Sequence, residues 1–345
     1  MIEKEEEDPI KKGLNEYNKG NYNLAVNLLT SSQIQDDKIN ELIRISLFNL
    51  AVEKYNSSKN EDDYNQSIDY YKKSIQYCKD EKKIEETKKN IDECNARIYF
   101  LKAKENFDQE NYENAIVYYK KAIEYENNEK NKKVSRQNIA TSYFNLGILK
   151  MNGAKDEKDY NSAIEFFEKS IEIEKELKRY EEIKNCETKI KKCNAYIYWE
   201  QYKKEEENIN KLSEINLAIE NWPEEEEGKN EYFLKEKSNL TYNIGIDYFN
   251  EKNYELARNY FQMSLDVNIY PNNSDESNLR LNLINMSEAN IYYLESEKKF
   301  NENNFDEALN EIEKALNKAE KTDETYLIEK CKELKEKILK AIGKN

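Results

Sequence analysis

The chain has 345 residues, with 55 Lys and Arg against 70 Asp and Glu, a formal net charge of −15 and no histidine. Without imidazole there is no Ser–His or Cys–His nucleophile pair and none of the usual His-containing zinc sites, and the acidic balance argues against nucleic acid as a partner. Hydrophobic residues make up 38% and Pro occupies three positions, so the chain can bury a core and has no Pro-rich linker to divide it.

Residues 1–8 are mostly Glu and Lys without an apolar run and read as a frayed end. From residue 9 one pattern recurs. Its copies are Tyr22, Ala25, Leu29, Ser32; Tyr64, Ser67, Tyr71, Ser74; Tyr112, Ala115, Tyr119, Ala122; Tyr160, Ala163, Phe167, Ser170; Tyr254, Ala257, Phe261, Ser264; and Phe305, Ala308, Ile312, Ala315. Steps of three and four place these positions on one helical face, and Ala or Ser there lets a neighbouring helix come close. Upstream of each copy lies a second helical pattern ending in Tyr17, Tyr55, Phe107, Met151, Phe249 or Phe300, with a small residue four positions before it. That small residue is Gly at Gly13, Gly147 and Gly245. A mid-helix Gly costs roughly 0.5–1 kcal/mol against Ala, so its recurrence implies a close helix contact that offsets the cost. Each copy therefore reads as a helix hairpin.

The sequence Tyr143-Phe144-Asn145-Leu146-Gly147, followed by Tyr160-Asn161-Ser162-Ala163-Ile164-Glu165-Phe166-Phe167, resembles the tetratricopeptide repeat, a two-helix unit with small residues at fixed positions of both helices. Six units fit, and a seventh, degenerate one falls between Trp199 and Trp222. The spacing departs from the family's period of about 34 residues, so the inter-repeat helices are expected to be long or to carry extra turns. A larger period shows in Cys94-Asn95-Ala96-Arg97-Ile98-Tyr99, which returns as Cys193-Asn194-Ala195-Tyr196-Ile197-Tyr198, as though a two-hairpin block had been duplicated. Tyr64 and Tyr160 also share a nine-residue gap from the preceding pattern. After the last copy, Leu327, Ile328, Cys331, Leu334, Ile338 and Ile342 at helical spacing predict a capping helix. The expected organisation is a frayed end at 1–8, a repeat array over 9–321 and a capping helix over 322–345. The expected fold is all-α, an α-solenoid of stacked antiparallel hairpins which, by the resemblance, is a right-handed superhelix.

The five cysteines, Cys78, Cys94, Cys186, Cys193 and Cys331, form no CxxC pair and read as small core residues, which suits a reducing, cytoplasmic setting. Glu224-Glu225-Glu226-Glu227 reads as a solvated charge run. No phosphate-binding loop, dinucleotide fingerprint or EF-hand spacing is present, and no basic amphipathic anchor, so neither a cofactor, a metal, a catalytic centre nor a membrane is expected.

The resemblance implies a non-catalytic scaffold that holds a peptide or partner helix in a concave groove lined by the first helices. Its register would present Phe48, Asn49 and Tyr55; Phe144 and Asn145; and Tyr242 and Asn243 to that groove, with Arg97 and Lys104 from an intervening unit. An Asn amide carries both donors and an acceptor, so Asn49, Asn145 and Asn243 suit an extended peptide backbone. The alternative is that Asn and the aromatics there are simply common consensus residues of the repeat, with Phe and Tyr packing between helices. Trp222, followed by Pro223, which cannot continue a helix, is a candidate partner anchor if exposed and an eroded core residue if not. Three other roles compete with the scaffold: a co-chaperone with a diverged carboxylate clamp for Hsp70 or Hsp90 tails, a peptide-sensing regulator, and a structural subunit of an assembly. Of the clamp's five positions, Asn49 and Arg97 fit, whereas Ile10, Leu14 and Leu101 do not.

Overall fold

A computed structural model describes residues 8–32, 34, 36–224, 229–267, 269, 271, 274–322 and 324–343. The expected frayed end, apart from Asp8, lies outside these residues, as do three of the four glutamates of the run that begins at Glu224. Among the described residues there are fifteen α-helices and no strand. Seven hairpins follow one another: α1 (Pro9–Asn18) with α2 (Tyr22–Ser31), α3 (Asp37–Ser57) with α4 (Glu61–Gln76), α5 (Glu81–Asp108) with α6 (Tyr112–Tyr125), α7 (Glu129–Gly153) with α8 (Glu157–Leu177), α9 (Tyr180–Lys204) with α10 (Asn208–Glu220), α11 (Lys229–Asn250) with α12 (Tyr254–Asp266), and α13 (Asp275–Asn301) with α14 (Phe305–Ala319). The closing helix α15 (Thr325–Ile342) buries Leu327, Cys331, Leu334 and Ile338.

The residues fall into two compact units, one of 1–154 with 161–190 and the other of 155–160 with 191–345. Within the first unit, α2 packs on α3, α4 on α5 and α6 on α7; within the second, α10 packs on α11, α12 on α13 and α14 on α15. Each unit is thus a stack in which every hairpin buries its apolar faces on its neighbours, the solenoid arrangement.

Two loop chemistries close six of the seven hairpins. In four of them the turn residue lies in the left-handed region: Gly20 at φ 82°, Glu110 at 60°, Lys252 at 63° and Asn303 at 61°. The next residue is Asn each time, and its N–H reaches back to the preceding helix: Asn21 to Glu16 O at 2.9 Å, Asn111 to Asn106 O at 2.8 Å, Asn253 to Tyr248 O at 2.9 Å and Asn304 to Lys299 O at 2.9 Å. This six-to-one bond is the Schellman termination of a helix. The other chemistry closes α3–α4 and α7–α8. Asn60 Oδ1 accepts from Asp63 N at 2.9 Å while Lys59 N donates to Asp63 Oδ2 at 3.2 Å; Asp156 and Asp159 repeat the exchange with Lys155. The nine-residue gaps are therefore not long loops. Helix α4 begins at Glu61 and α8 at Glu157, each adding most of a turn before its aromatic at Tyr64 or Tyr160.

The recurrent glycines make the close contacts that their cost implied. A Cβ on Gly13 would lie 2.7 Å from Leu29 Cγ, on Gly147 2.6 Å from Phe167 Cε1, and on Gly245 2.6 Å from Phe261 Cδ1, far inside the 3.5–4.0 Å of ordinary carbon contact. The small hydroxyls also tie the helices together. Ser67 Oγ donates to Ala51 O at 2.8 Å, Ser74 Oγ to Arg44 O at 3.0 Å, Ser170 Oγ to Ala140 O at 2.9 Å, and Ser296 Oγ to Ala308 O at 2.7 Å. A side chain long enough to fill the space would hold the backbones apart; Ser is short and satisfies a carbonyl as well.

Candidate functional site

The aromatic that opens each expected groove set is turned into its own hairpin. Phe48 meets Tyr71 edge-on at 5.4 Å between ring centres, Phe144 meets Phe167 at 5.6 Å and Tyr242 meets Phe261 at 5.9 Å. Tyr55 stands edge-on to Tyr64 at 5.6 Å. These four side chains thus pack between helices, the alternative weighed for the aromatics, and remain half-buried, with Phe144 also lining a pocket described below.

The asparagines are placed differently. Each follows the packing aromatic by one residue, about 100° further round the helix. Asn49 and Asn145 are half-buried and Asn243 is exposed, and none has a side-chain hydrogen bond among the described residues. At the same position α5 carries Leu101, α9 carries Glu200 and α13 carries Leu294, so the amide recurs at every second hairpin. Asn49 and Asn145 belong to the first unit and Asn243 to the second.

Arg97 is committed within the protein. Its Nε donates to the Tyr55 hydroxyl at 3.3 Å, and Tyr55 in turn donates to Glu93 Oε1 at 2.6 Å. Burial, reinforced by that acceptor, pushes the Tyr55 hydroxyl up to about 12. Arg97 also lines a small pocket of about 60 Å³ with Phe100, Ala122 and Glu126. Lys104 is exposed.

Trp222 is not an exposed anchor. Helix α10 ends at Glu220, before the Trp-Pro pair rather than broken by it, and Trp222 is 5% exposed. Its ring stands edge-on to Tyr196 at 5.8 Å and to Phe233 at 5.5 Å, within a cluster that includes Leu212, Ile215 and Leu240. A large apolar ring in the place of a helix's last turn fills the gap left by a short second helix. In the same hairpin Tyr202 takes the position that is Gly, Ala or Ser elsewhere and stacks on Trp199 at 4.8 Å. Substitution of that small residue is the signal that marks this unit as degenerate.

One cavity escaped the sequence reading. In the first unit a pocket of about 270 Å³ opens beside α7, the later part of α8 and the start of α9, lined by Thr141, Phe144, Glu174, Arg179, Glu182 and Asn185 among others. Glu174 is 2% exposed; its Oε1 accepts from Arg179 Nη1 at 3.1 Å, while Oε2 has no hydrogen-bond partner. Burial raises the Glu174 carboxyl above the ordinary range, against the opposing pull of Arg179. Cys186 on the floor is 1% exposed and its thiol is likewise raised by burial, an inert group. Among the described residues no cluster of Cys, Asp or Glu is set to hold a metal ion, and no helix is long and apolar enough to cross a membrane.

Comparison with known families assigns the hairpins. Residues 96–129 match the model of the tetratricopeptide repeat, and residues 45–76, 140–172 and 242–266 match that of the Sel1 repeat. The chain is a tetratricopeptide-repeat protein in which Sel1-like units, each carrying one of the three asparagines, occupy alternate hairpins. Solved structures to which it is similar include the TPR domain of P58(IPK), at 12% identity over 97% of this chain and 98% of that one, TM-score 0.23. Yeast Tom70 matches at 12% identity over 96% of this chain and 80% of that one, TM-score 0.18. The quorum sensor NprR from B. thuringiensis, in its apo form, matches at 14% identity over 94% and 79%, TM-score 0.18. At such scores the superposition is poor, and nothing about ligand or activity follows from it. No curated protein matches the sequence.

Proposed function

We propose that the chain is a non-catalytic interaction scaffold that binds a peptide or partner helix on the first-helix surface of the hairpins within each unit. The observation that carries this reading is the recurrence of Asn49, Asn145 and Asn243 at one repeat position, each at least partly open to solvent and with its amide uncommitted to the fold. A fold needs no amide there, since Leu101 and Leu294 take the same position in neighbouring hairpins; a ligand backbone, with alternating donors and acceptors, does. Because Phe48, Phe144 and Tyr242 are used in packing, the amides and the half-covered aliphatic residues Val52, Ile148 and Ile246 supply the contact surface. Arg97, paired with Tyr55, acts as a strut that orients the surface rather than as a carboxylate clamp.

The test is affinity capture with the wild-type chain beside the Asn49→Ala, Asn145→Ala, Asn243→Ala variant, with circular dichroism confirming that both are folded. Specific partners lost with the triple variant support the reading. Partners retained in full refute it and direct attention to other surfaces.

A further inference from the structure

The pockets of the first unit occupy corresponding places in successive hairpins. Phe100 packs on Tyr119 at 5.4 Å as Phe144 packs on Phe167 at 5.6 Å. Ala122 then corresponds to Ser170, and Glu126, the residue that caps α6, to Glu174 within α8, at the same distances along the sequence. Three residues before the aromatic, the α5 hairpin carries Arg97 and the α7 hairpin carries Thr141. The larger side chain accompanies a pocket of about 60 Å³, and the smaller one a pocket of about 270 Å³. In the smaller pocket Arg97 brings a guanidinium into the field of Glu126. In the larger one Glu174 loses that cation. Arg179 does not make up the deficit, since it is shared: Nη1 donates to Glu174 Oε1 and Nη2 to Glu182 Oε1. Two carboxylates therefore face one guanidinium, and a buried carboxylate oxygen is left without a donor.

We propose that this pocket binds a primary alkylammonium group, which donates to Glu174 and takes the place that Arg97 holds in the neighbouring hairpin. The room, on the order of nine water volumes, admits an ammonium on a short alkyl chain. Phe144 offers a ring to the alkyl part or to the cation. Thr141, whose hydroxyl hydrogen is given to Gln137 O at 3.0 Å, and Asn185 present acceptors. The mouth lies at Arg179 and Glu182, whose side chains are 28% and 38% exposed, while Ser170, Glu174 and Cys186 close the floor. The ammonium comes either from a lysine side chain of a bound peptide or from a free alkyl diamine; the site does not depend on the asparagine surface.

The experiment is titration calorimetry at low salt with 1,5-diaminopentane and with Nα-acetyl-lysine methylamide, beside the neutral 1,5-pentanediol. Both amines are titrated into the wild-type chain, into Glu174→Gln, which keeps the shape and removes the charge, and into Thr141→Arg, which restores the internal cation. Binding of either amine that weakens about tenfold or more in Glu174→Gln, as loss of a charged hydrogen bond requires, and vanishes in Thr141→Arg supports the site. Preference between the amines assigns the source. No amine binding to the wild-type chain, equal binding to Glu174→Gln, or equal binding of the diol overturns the proposal. A Glu174→Gln chain that misfolds by circular dichroism leaves Thr141→Arg, alone, to decide: unchanged binding there refutes the site.

Discussion

Gly147→Ala probes whether close helix approach governs the hairpins. The new Cβ would stand 2.6 Å from Phe167 Cε1, 2.8 Å from Cδ1 and 2.9 Å from Cζ, an overlap of about 1 Å on normal contact. Phe167 is 0% exposed and packs on Phe144 of its hairpin partner α7, so the ring cannot swing into solvent. Overpacking of a full core costs about 1–3 kcal/mol, and the better helix propensity of Ala returns about 0.5–1 kcal/mol. The expected net loss is about 1–2 kcal/mol, read as a lower urea midpoint by circular dichroism. Gly153→Ala is the control: it ends the same helix with nothing within 4 Å of its Cβ, so it should be neutral or slightly stabilising. Phe167→Leu in the Gly147→Ala background should cost less than the two changes summed, because the smaller side chain yields to the methyl. A Gly147→Ala chain as stable as Gly153→Ala would refute the reasoning.

The left-handed turn positions give a second expectation. Glu110→Gly and Lys252→Gly should each gain roughly 0.5–1 kcal/mol, and Gly20→Ala should lose about 1 kcal/mol, in thermal melts, since a Cβ is disfavoured there. Glu41 is held down at about 2, first by its hydrogen bond from Arg44 and then by Lys83. Its folded value is depressed, so its contribution is present above the unfolded carboxylate range and is lost as pH falls from about 4.5 towards 2. With its side chain 40% exposed, Glu41→Gln should cost under about 1 kcal/mol at pH 7, and urea midpoints of the two chains should converge at the acid end of that window. Trp222→Ala should cost about 3–5 kcal/mol in denaturant titration, as a core truncation does; a stable variant that has lost only a partner would restore the anchor reading.

The hairpins were legible because each is written locally. Small residues at Gly147 and Ala163 and an aromatic at Phe167 recur at spacings that only a helix can place on one face. The capping helix and the degenerate unit followed from the same arithmetic. The direction of each aromatic was not legible, because positions one residue apart, such as Phe144 and Asn145, differ by a third of a turn and either can face the partner helix until the neighbouring hairpin is in place. Trp222 shows this most clearly: Pro223 marks a helix end, but only the convergence of Tyr196, Phe233 and Leu240 buries the ring. The pocket at Glu174 could not be read at all from one chain position. It arises because Thr141, Glu174 and Arg179 lie on three successive segments, and the charge balance among them exists only once those segments pack. Local periodicity determined the helices and their pairing; long-range packing, which joins residues far apart in sequence, decided which side chains are spent on the core and which remain available.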